Sequence, residues 1–122
     1  MKIWLHLLPL VLYMVIYNVS VKIDPQIHEE WLTWMRLHHI PKVLSTGSFL
    51  KSRISRLDIQ EDDGITYIIQ YDAISQEALN NYMIRYAPAL QKEHIERYAN
   101  RFVAFRTVLE VIEELFPHER KS

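Results

Sequence analysis

The order of strand-like and helix-like patterns after Met14 constrains the fold of this chain more than any other feature. A strand-like alternation covers residues 15–23 and is followed by a helical pattern. Two strand-like runs come next, over residues 48–58 and 65–73, and then a second helical pattern and a last strand over 101–110. In the order βαββαβ, right-handed crossovers place both helices on one face of an antiparallel sheet. The sequence therefore predicts an α+β, ferredoxin-like fold whose second sheet face is bare.

The composition is that of one globular domain. The 122 residues are 49% hydrophobic and 24% charged, which argues against disorder. A net charge of −1 lacks the basic excess of nucleic-acid-binding proteins, so we expect no nucleic-acid partner. The chain has no cysteine and only two glycines, which excludes disulfides, thiol chemistry and Gly-rich phosphate loops. We expect no cofactor. A chain without cysteine is compatible with the reducing environment of the cytoplasm.

The N-terminal stretch has three possible interpretations. Residues 3–21 carry no formal charge and follow Lys2, which is typical of a signal peptide or membrane anchor. The run contains Pro9, has no Ala-x-Ala-like cleavage site after it, and ends in the strand that the fold requires. We interpret residues 1–13 as an extension upstream of a natural start at Met14, with an export signal, an anchor or a structured arm as alternatives. Residues 14–112 then form the domain and 113–122 a polar tail. We expect a cytoplasmic location, and the alternative is a membrane-associated or exported protein in which residues 1–21 act as a signal or anchor.

Capping and breaking residues predict the helix ends. Asp24 and Pro25 predict the start of the first helix, as N-cap and first helical residue. Pro41 predicts a kink or restart within that helix, and Gly47 predicts its end. Ser75 predicts the cap of the second helix.

The alternation of side chains predicts what the bare sheet face carries. Its apolar members are expected to be Ile16, Phe49, Phe102 and Val108, a patch that indicates an interface. The economical solution is a two-fold homodimer with two sheets packed face to face. The space between the sheets would be lined by polar side chains, namely Asn18, Lys22, Lys51, Arg53, Thr66, Gln70, Asp72 and Arg106. This space is either a satisfied polar interface or a small-molecule pocket.

The adjacent histidines His38 and His39 are the candidate catalytic residues. Neighbouring helical residues point about 100° apart, so the pair cannot chelate one metal from one face. The His-Glu-x-x-His spacing of zinc proteases is also missing, and we expect no metal site. One of the two, near the Pro41 kink, can act as an acid or base, and the alternative is a surface or helix-end histidine.

Arg106 is the strongest candidate for ligand binding. On a predicted central strand among apolar neighbours, its guanidinium must be paired if it is buried. One alternative pairs Arg106 with Asp72 or with a carboxylate of the partner chain. The other makes Arg106 and Arg53 the anchors of an anionic or carbonyl-bearing ligand, with Asn18, Gln70 and Asp72 as further ligand-binding residues.

A series of short segments resembles a family of small bacterial proteins that is defined only as a domain of unknown function. These segments are Tyr17–Asp24, His28–Trp31, Trp34–Met35, His39–Pro41, Thr46–Gly47 with Phe49, Thr66–Tyr67, Gln70–Tyr71, Tyr86–Leu90 and Phe102–Thr107. The resemblance runs from Met14 to about Val111 and supports Met14 as the start, because members begin at the equivalent methionine. It implies a ferredoxin-like fold of the dimeric α/β-barrel type, a group that includes cofactor-free monooxygenases and haem-binding and haem-degrading proteins.

Two functions follow from these observations. The first is a small-molecule-binding or dimer-interaction module. The second is a cofactor-independent enzyme that acts on a small polar or aromatic substrate. In the enzyme, Arg106 and Arg53 would orient an anion and His38 or His39 would move a proton.

Overall fold

The computed structural model describes residues 14–118, and its elements follow the predicted order. They are β1 (Val15–Ile23), α1 (His28–Trp34), a π-helical turn (Met35–His39), α2 (Ile40–Ser45), β2 (Phe49–Arg56), β3 (Ile65–Ala73), α3 (Gln76–Arg85), α4 (Ala87–Tyr98) and β4 (Phe102–Glu110). The strands form one antiparallel sheet in the order β2-β3-β1-β4. The predicted ferredoxin-like α+β fold is confirmed.

The two ends of the chain extend beyond this fold. The extension predicted for residues 1–13 lies outside the described residues. Residues 111–118 form no regular secondary structure and are mostly exposed, and the last four residues of the predicted tail also lie outside the described part.

The hydrophobic core lies between the helices and one face of the sheet. Alternate residues of the central strand β1 point into it, and Val15, Tyr17, Val21 and Ile23 are buried as the alternation predicts. Trp31 of α1 is fully buried among them. The intervening β1 residues are only half-buried, so one sheet face has no helix cover.

The helix ends agree with the predictions in part. Ser75 caps α3 by accepting a hydrogen bond from the Ala78 N–H at 3.0 Å, and Gly47 follows α2 with a φ of 78°. The prediction that Asp24 caps the first helix is wrong, because α1 begins only at His28. The Asp24 carboxylate instead accepts from the Gln26 N–H at 2.9 Å within a turn.

The predicted kink at Pro41 takes the form of the π-helical turn before it. The Ile40 N–H donates to the Met35 carbonyl, five residues back, and Pro41 lies in the first turn of α2. Within this turn His39 is part-buried and His38 is exposed.

The register of β4 corrects the predicted content of the two faces. Ile23, Val19 and Tyr17 of β1 pair with Phe102, Arg106 and Val108 respectively. Directly paired residues of neighbouring antiparallel strands share a face, so this β4 set lies on the helix side. The prediction that Phe102, Arg106 and Val108 lie on the bare face is therefore wrong, and β4 is an edge strand rather than a central one.

Phe49 is also on the helix side, contrary to prediction. It is buried and lies 5.1 Å from the ring of Tyr71. A bulge between Phe49 and Lys51 inserts one residue, so Phe49 faces the core while Lys51 faces outward. We call the uncovered side of the sheet the open face; its apolar members are Ile16, Ile68, Val103, Phe105 and Leu109.

Candidate functional site

A small cavity lies between the helices and the sheet, and polar side chains converge on it. It leaves about 40 Å³ free, which is room for a few water molecules and less than the roughly 300 Å³ of a whole-ligand pocket. Its lining consists of Tyr17, Val19, Val21, Met35, His39, Val43, Ile69, Tyr71, Tyr82, Leu90, Gln91, His94, Ala104 and Arg106. Apolar walls with a few converging polar groups are typical of ligand sites.

Three tyrosines form one wall of the cavity. The ring of Tyr17 lies 5.9 Å from Tyr71 and 6.0 Å from Tyr82. Burial raises the pKa of Tyr71 and Tyr82 far above the usual value, so both phenols are neutral. Burial also raises the pKa of Tyr17, although Arg106 and Gln91 stand close enough to favour its ionised form. The wall therefore presents neutral hydroxyls on an aromatic surface.

His94 of α4 is held in one tautomer by a buried tryptophan. The indole Nε1–H of Trp31 donates to His94 Nε2 at 2.9 Å. Since Nε2 accepts, Nδ1 carries the proton of the neutral ring. Protonation would place two N–H groups against each other, and burial lowers the pKa of His94 to about 4. His94 is thus a neutral imidazole with a fixed donor.

His39 contributes the second imidazole. Its Nδ1 is buried and has no hydrogen-bond partner among residues 14–118. Burial lowers the pKa of His39 to about 4, against the opposing influence of Glu93. The rings of His39 and His94 lie 5.8 Å apart. A buried, unpartnered nitrogen beside a cavity is available to a bound molecule.

Arg106 supplies the positive charge of the lining. It is exposed, on the strand edge of the cavity, and no carboxylate within the described chain forms an ion pair with it. The predicted pair with Asp72 is wrong, because Asp72 lies on the open face and its nearest cation is Lys51 at 3.9 Å. The Arg106 guanidinium stands close to the Tyr17 hydroxyl and has no carboxylate partner in the described chain, so an anionic ligand can pair with it.

The structure separates the candidate residues into two groups. His39 and Arg106 line the cavity, whereas His38 is exposed away from it. The other candidates lie on the open face, namely Arg53, Asn18, Gln70 and Asp72. Their ligand-binding roles stay predictions.

The sequence did not predict His94 or Gln91 as site residues, although both line the cavity with polar side chains. A signal for His94 exists, because Ala87, His94 and Tyr98 are buried on one face of α4. A histidine inside an apolar helical stripe points into the core. Gln91 carries no comparable signal.

The open face is a network of neutral and charged pairs. Asn18 accepts from Gln70 Nε2 at 3.2 Å, and its own Nδ2 lies 3.3 Å from Thr107 Oγ1. Lys22 pairs with Asp63 at 2.6 Å and Glu61 at 3.3 Å. The polar side chains of the open face are therefore paired with one another, and its apolar side chains stay exposed between them.

The described residues hold neither a cluster of metal-ligating side chains nor a membrane-spanning helix. No group of three or more His, Asp or Glu side chains in 14–118 is arranged to hold a metal ion. None of the helices in this part of the chain is both long and apolar enough to cross a membrane.

Several solved structures share the fold at low sequence identity. A dimeric ferredoxin-like protein from an uncultured marine organism is 8% identical with a TM-score of 0.64, covering 84% of this chain and 99% of that one. A mutant of SnoaB, a cofactor-independent oxygenase from Streptomyces nogalater, is 11% identical with a TM-score of 0.61, at 84% and 96% coverage. A Streptomyces coelicolor monooxygenase in complex with nanaomycin D is 13% identical with a TM-score of 0.60, at 87% and 94% coverage.

Sequence comparison gives the family. A search of the curated proteins gives no match. A family model described as a domain of unknown function, DUF4286, matches residues 14–112, which is most of the chain. The resemblance stated from the sequence is confirmed, and this chain belongs to the DUF4286 family.

Proposed function

We propose that this protein is a homodimeric small-molecule-binding module, with the open faces of two sheets in contact and a ligand cavity on the helix side of each protomer. The observation that carries the proposal is the cavity, where a buried unpartnered nitrogen of His39 meets neutral tyrosines and the unpaired Arg106. Arg106 is the anchor for an anionic or carbonyl oxygen.

Exposed apolar side chains on the open face support the dimer. Phe105 is 69% exposed and Val103 56% exposed, and Leu109 lies beside them on β4. Such a patch on an edge strand loses contact with water when a second copy covers it. The dimeric ferredoxin-like protein of similar fold also supports this arrangement.

The dimer is tested by placing a charge in this patch. Phe105→Asp should convert the dimer to a monomer in light scattering coupled to gel filtration, because a buried unpaired carboxylate opposes association. Leu37→Asp is the matched control, since Leu37 is 61% exposed on the helical layer. An unchanged dimer mass for Phe105→Asp would contradict the proposed interface.

Ligand binding is tested by filling the cavity. Native mass spectrometry of the full chain, purified gently from cells, should give a dimer with an extra, releasable mass. Ala104→Leu adds three carbon atoms to a side chain that lines the cavity, and it should abolish that mass. Ala89→Leu, the same substitution at an exposed position of α4 that does not line the cavity, should retain it. A bare dimer for the unmodified protein counts against the binding function.

A cofactor-independent enzyme is the second candidate. It is favoured by the fold shared with SnoaB and by the unpartnered His39 Nδ1, which can accept a proton from a substrate held at Arg106. His39→Gln should then abolish turnover while leaving binding and the dimer mass intact. A copurified ligand that the unmodified protein leaves chemically unchanged would favour the module without catalysis.

A further inference from the structure

The hydrogen-bonding groups around the cavity differ in kind, and their balance indicates what the cavity binds. Arg106 donates only, and His94 has one free nitrogen, Nδ1, which donates because Trp31 occupies the acceptor at Nε2. The hydroxyl groups of Tyr17 and Tyr82 stand on the same lining and donate equally well. The obligatory acceptors of the lining are one ring nitrogen of the neutral His39 and the amide oxygen of Gln91. Donors therefore outnumber obligatory acceptors.

Charge gives the same indication as the donors. Arg106 is the one ionised side chain of the lining near neutral pH, since both histidines and the buried tyrosines are neutral there. No acidic residue lines the cavity, and none in the described chain pairs with Arg106. A lining with a net charge of one and no counter-ion favours a ligand with a single negative charge.

Volume and wall chemistry limit the shape of such a ligand. About 40 Å³ accepts a group of carboxylate size and not a ring system. Arg106 lines the cavity and is exposed on its outer side, and the rings of Tyr17 and Tyr71 on the same lining lie 5.9 Å apart and 28° from parallel, which makes a nearly flat aromatic wall. Flat aromatic walls favour a flat conjugated body.

From these observations we infer that the cavity takes the oxygen-bearing head group of a small planar organic monoanion, a carboxylate or an enolate, with its conjugated body towards the mouth. Arg106 pairs with the charge, and Trp31 acts as a positioning residue that keeps the His94 Nδ1–H directed to the ligand as a donor. This inference rests on the proposed binding function and names its ligand class.

A matched pair of probes tests the inference. Benzoate and benzamide have the same shape and differ in charge, and titration of the full chain followed by NMR gives both affinities. We expect benzoate to bind about tenfold more tightly than benzamide. Arg106→Gln should remove that preference, whereas Arg36→Gln, an exposed arginine on the π-helical turn, should keep it.

The tautomer has its own readout. Long-range ¹⁵N–¹H spectra should show His94 protonated on Nδ1 in the unmodified protein, and Trp31→Phe should release the ring into a mixture of tautomers and weaken benzoate binding.

Three results would overturn the inference. Equal or tighter binding of benzamide leaves the binding function in place and excludes the anion class, and so does a benzoate affinity that Arg106→Gln does not change. Binding of neither probe also overturns the inference, while the copurified mass decides the binding function separately.

Discussion

The two faces of the sheet both carry polar and aromatic side chains, but they differ in how the polar groups are paired. The helix-covered face places aromatic rings and imidazoles against each other, and its polar atoms either pair inside the core, as Trp31 and His94 do, or border the cavity. The open face pairs its polar groups along the surface, as Asn18 and Gln70 do, and leaves Phe105 exposed. A polar atom on the buried face therefore needs a protein partner, because water cannot reach it. On the open face, water can take the place of a lost partner.

The strongest test of this contrast is truncation of the fully buried Trp31. Trp31→Ala should reduce the free energy of unfolding by about 3–5 kcal/mol, because it opens a cavity and leaves His94 Nε2 unpaired. Urea unfolding followed by circular dichroism measures the change. Trp31→Phe keeps most of the packing and should cost less. A loss below about 1 kcal/mol for Trp31→Ala would contradict the proposed core.

The second test uses acid to charge the helix-covered face. His94 has a pKa near 4 when folded and about 6.5 when unfolded, so the unfolded chain binds more protons between these values. Stability from His94 is complete above pH 6.5 and is lost as pH falls towards 4, roughly 2 kcal/mol by pH 5.

Urea unfolding at pH 7 and pH 5 measures this loss, and a His94→Gln variant should lose less than the unmodified protein. His38→Gln is the control, because His38 is exposed. Equal acid sensitivity of His94→Gln and the unmodified protein would show that His94 is not buried in neutral form.

The third test removes a polar group from the open face. Asn18→Ala breaks the contacts with Gln70 and Thr107 and should cost about 1 kcal/mol, since water replaces both bonds in the free protomer. Unfolding at low and high protein concentration separates the contribution of the protomer from that of the proposed dimer. A loss as large as that of Trp31→Ala at low concentration would remove the contrast between the faces.

The smallest effect is expected at the edge of the open face. Lys51 lies 3.9 Å from Asp72, and its side chain is 67% exposed. Lys51→Ala should change the free energy of unfolding by less than about 0.5 kcal/mol, because solvent screens the pair. Salt titration during urea unfolding provides the check, and a salt-dependent loss above about 1 kcal/mol would indicate a pair shielded from water.

Sequence reasoning reached the cavity only in part. His39 and Arg106 were candidates, yet Arg106 was predicted on the wrong face and His94 was not a candidate. Both alternating sets of β4 contain large apolar residues, such as Val108 and Phe105, so alternation could not choose between the faces. A one-residue change of register exchanges the faces of a strand, and only the pairing with β1 decides it.

The sequence by itself determined the element order, the fold, the cap at Ser75 and the break at Pro41, because each depends on neighbours within a few residues. Only the tertiary structure decided which of His38 and His39 faces inward, since His39 packs against Trp34 and against His94 of a distant helix. Tertiary packing also decided the contact between Trp31 and His94, which lie 63 positions apart in the chain. Local preference sets an element, whereas the chemistry of a site depends on which elements pack together.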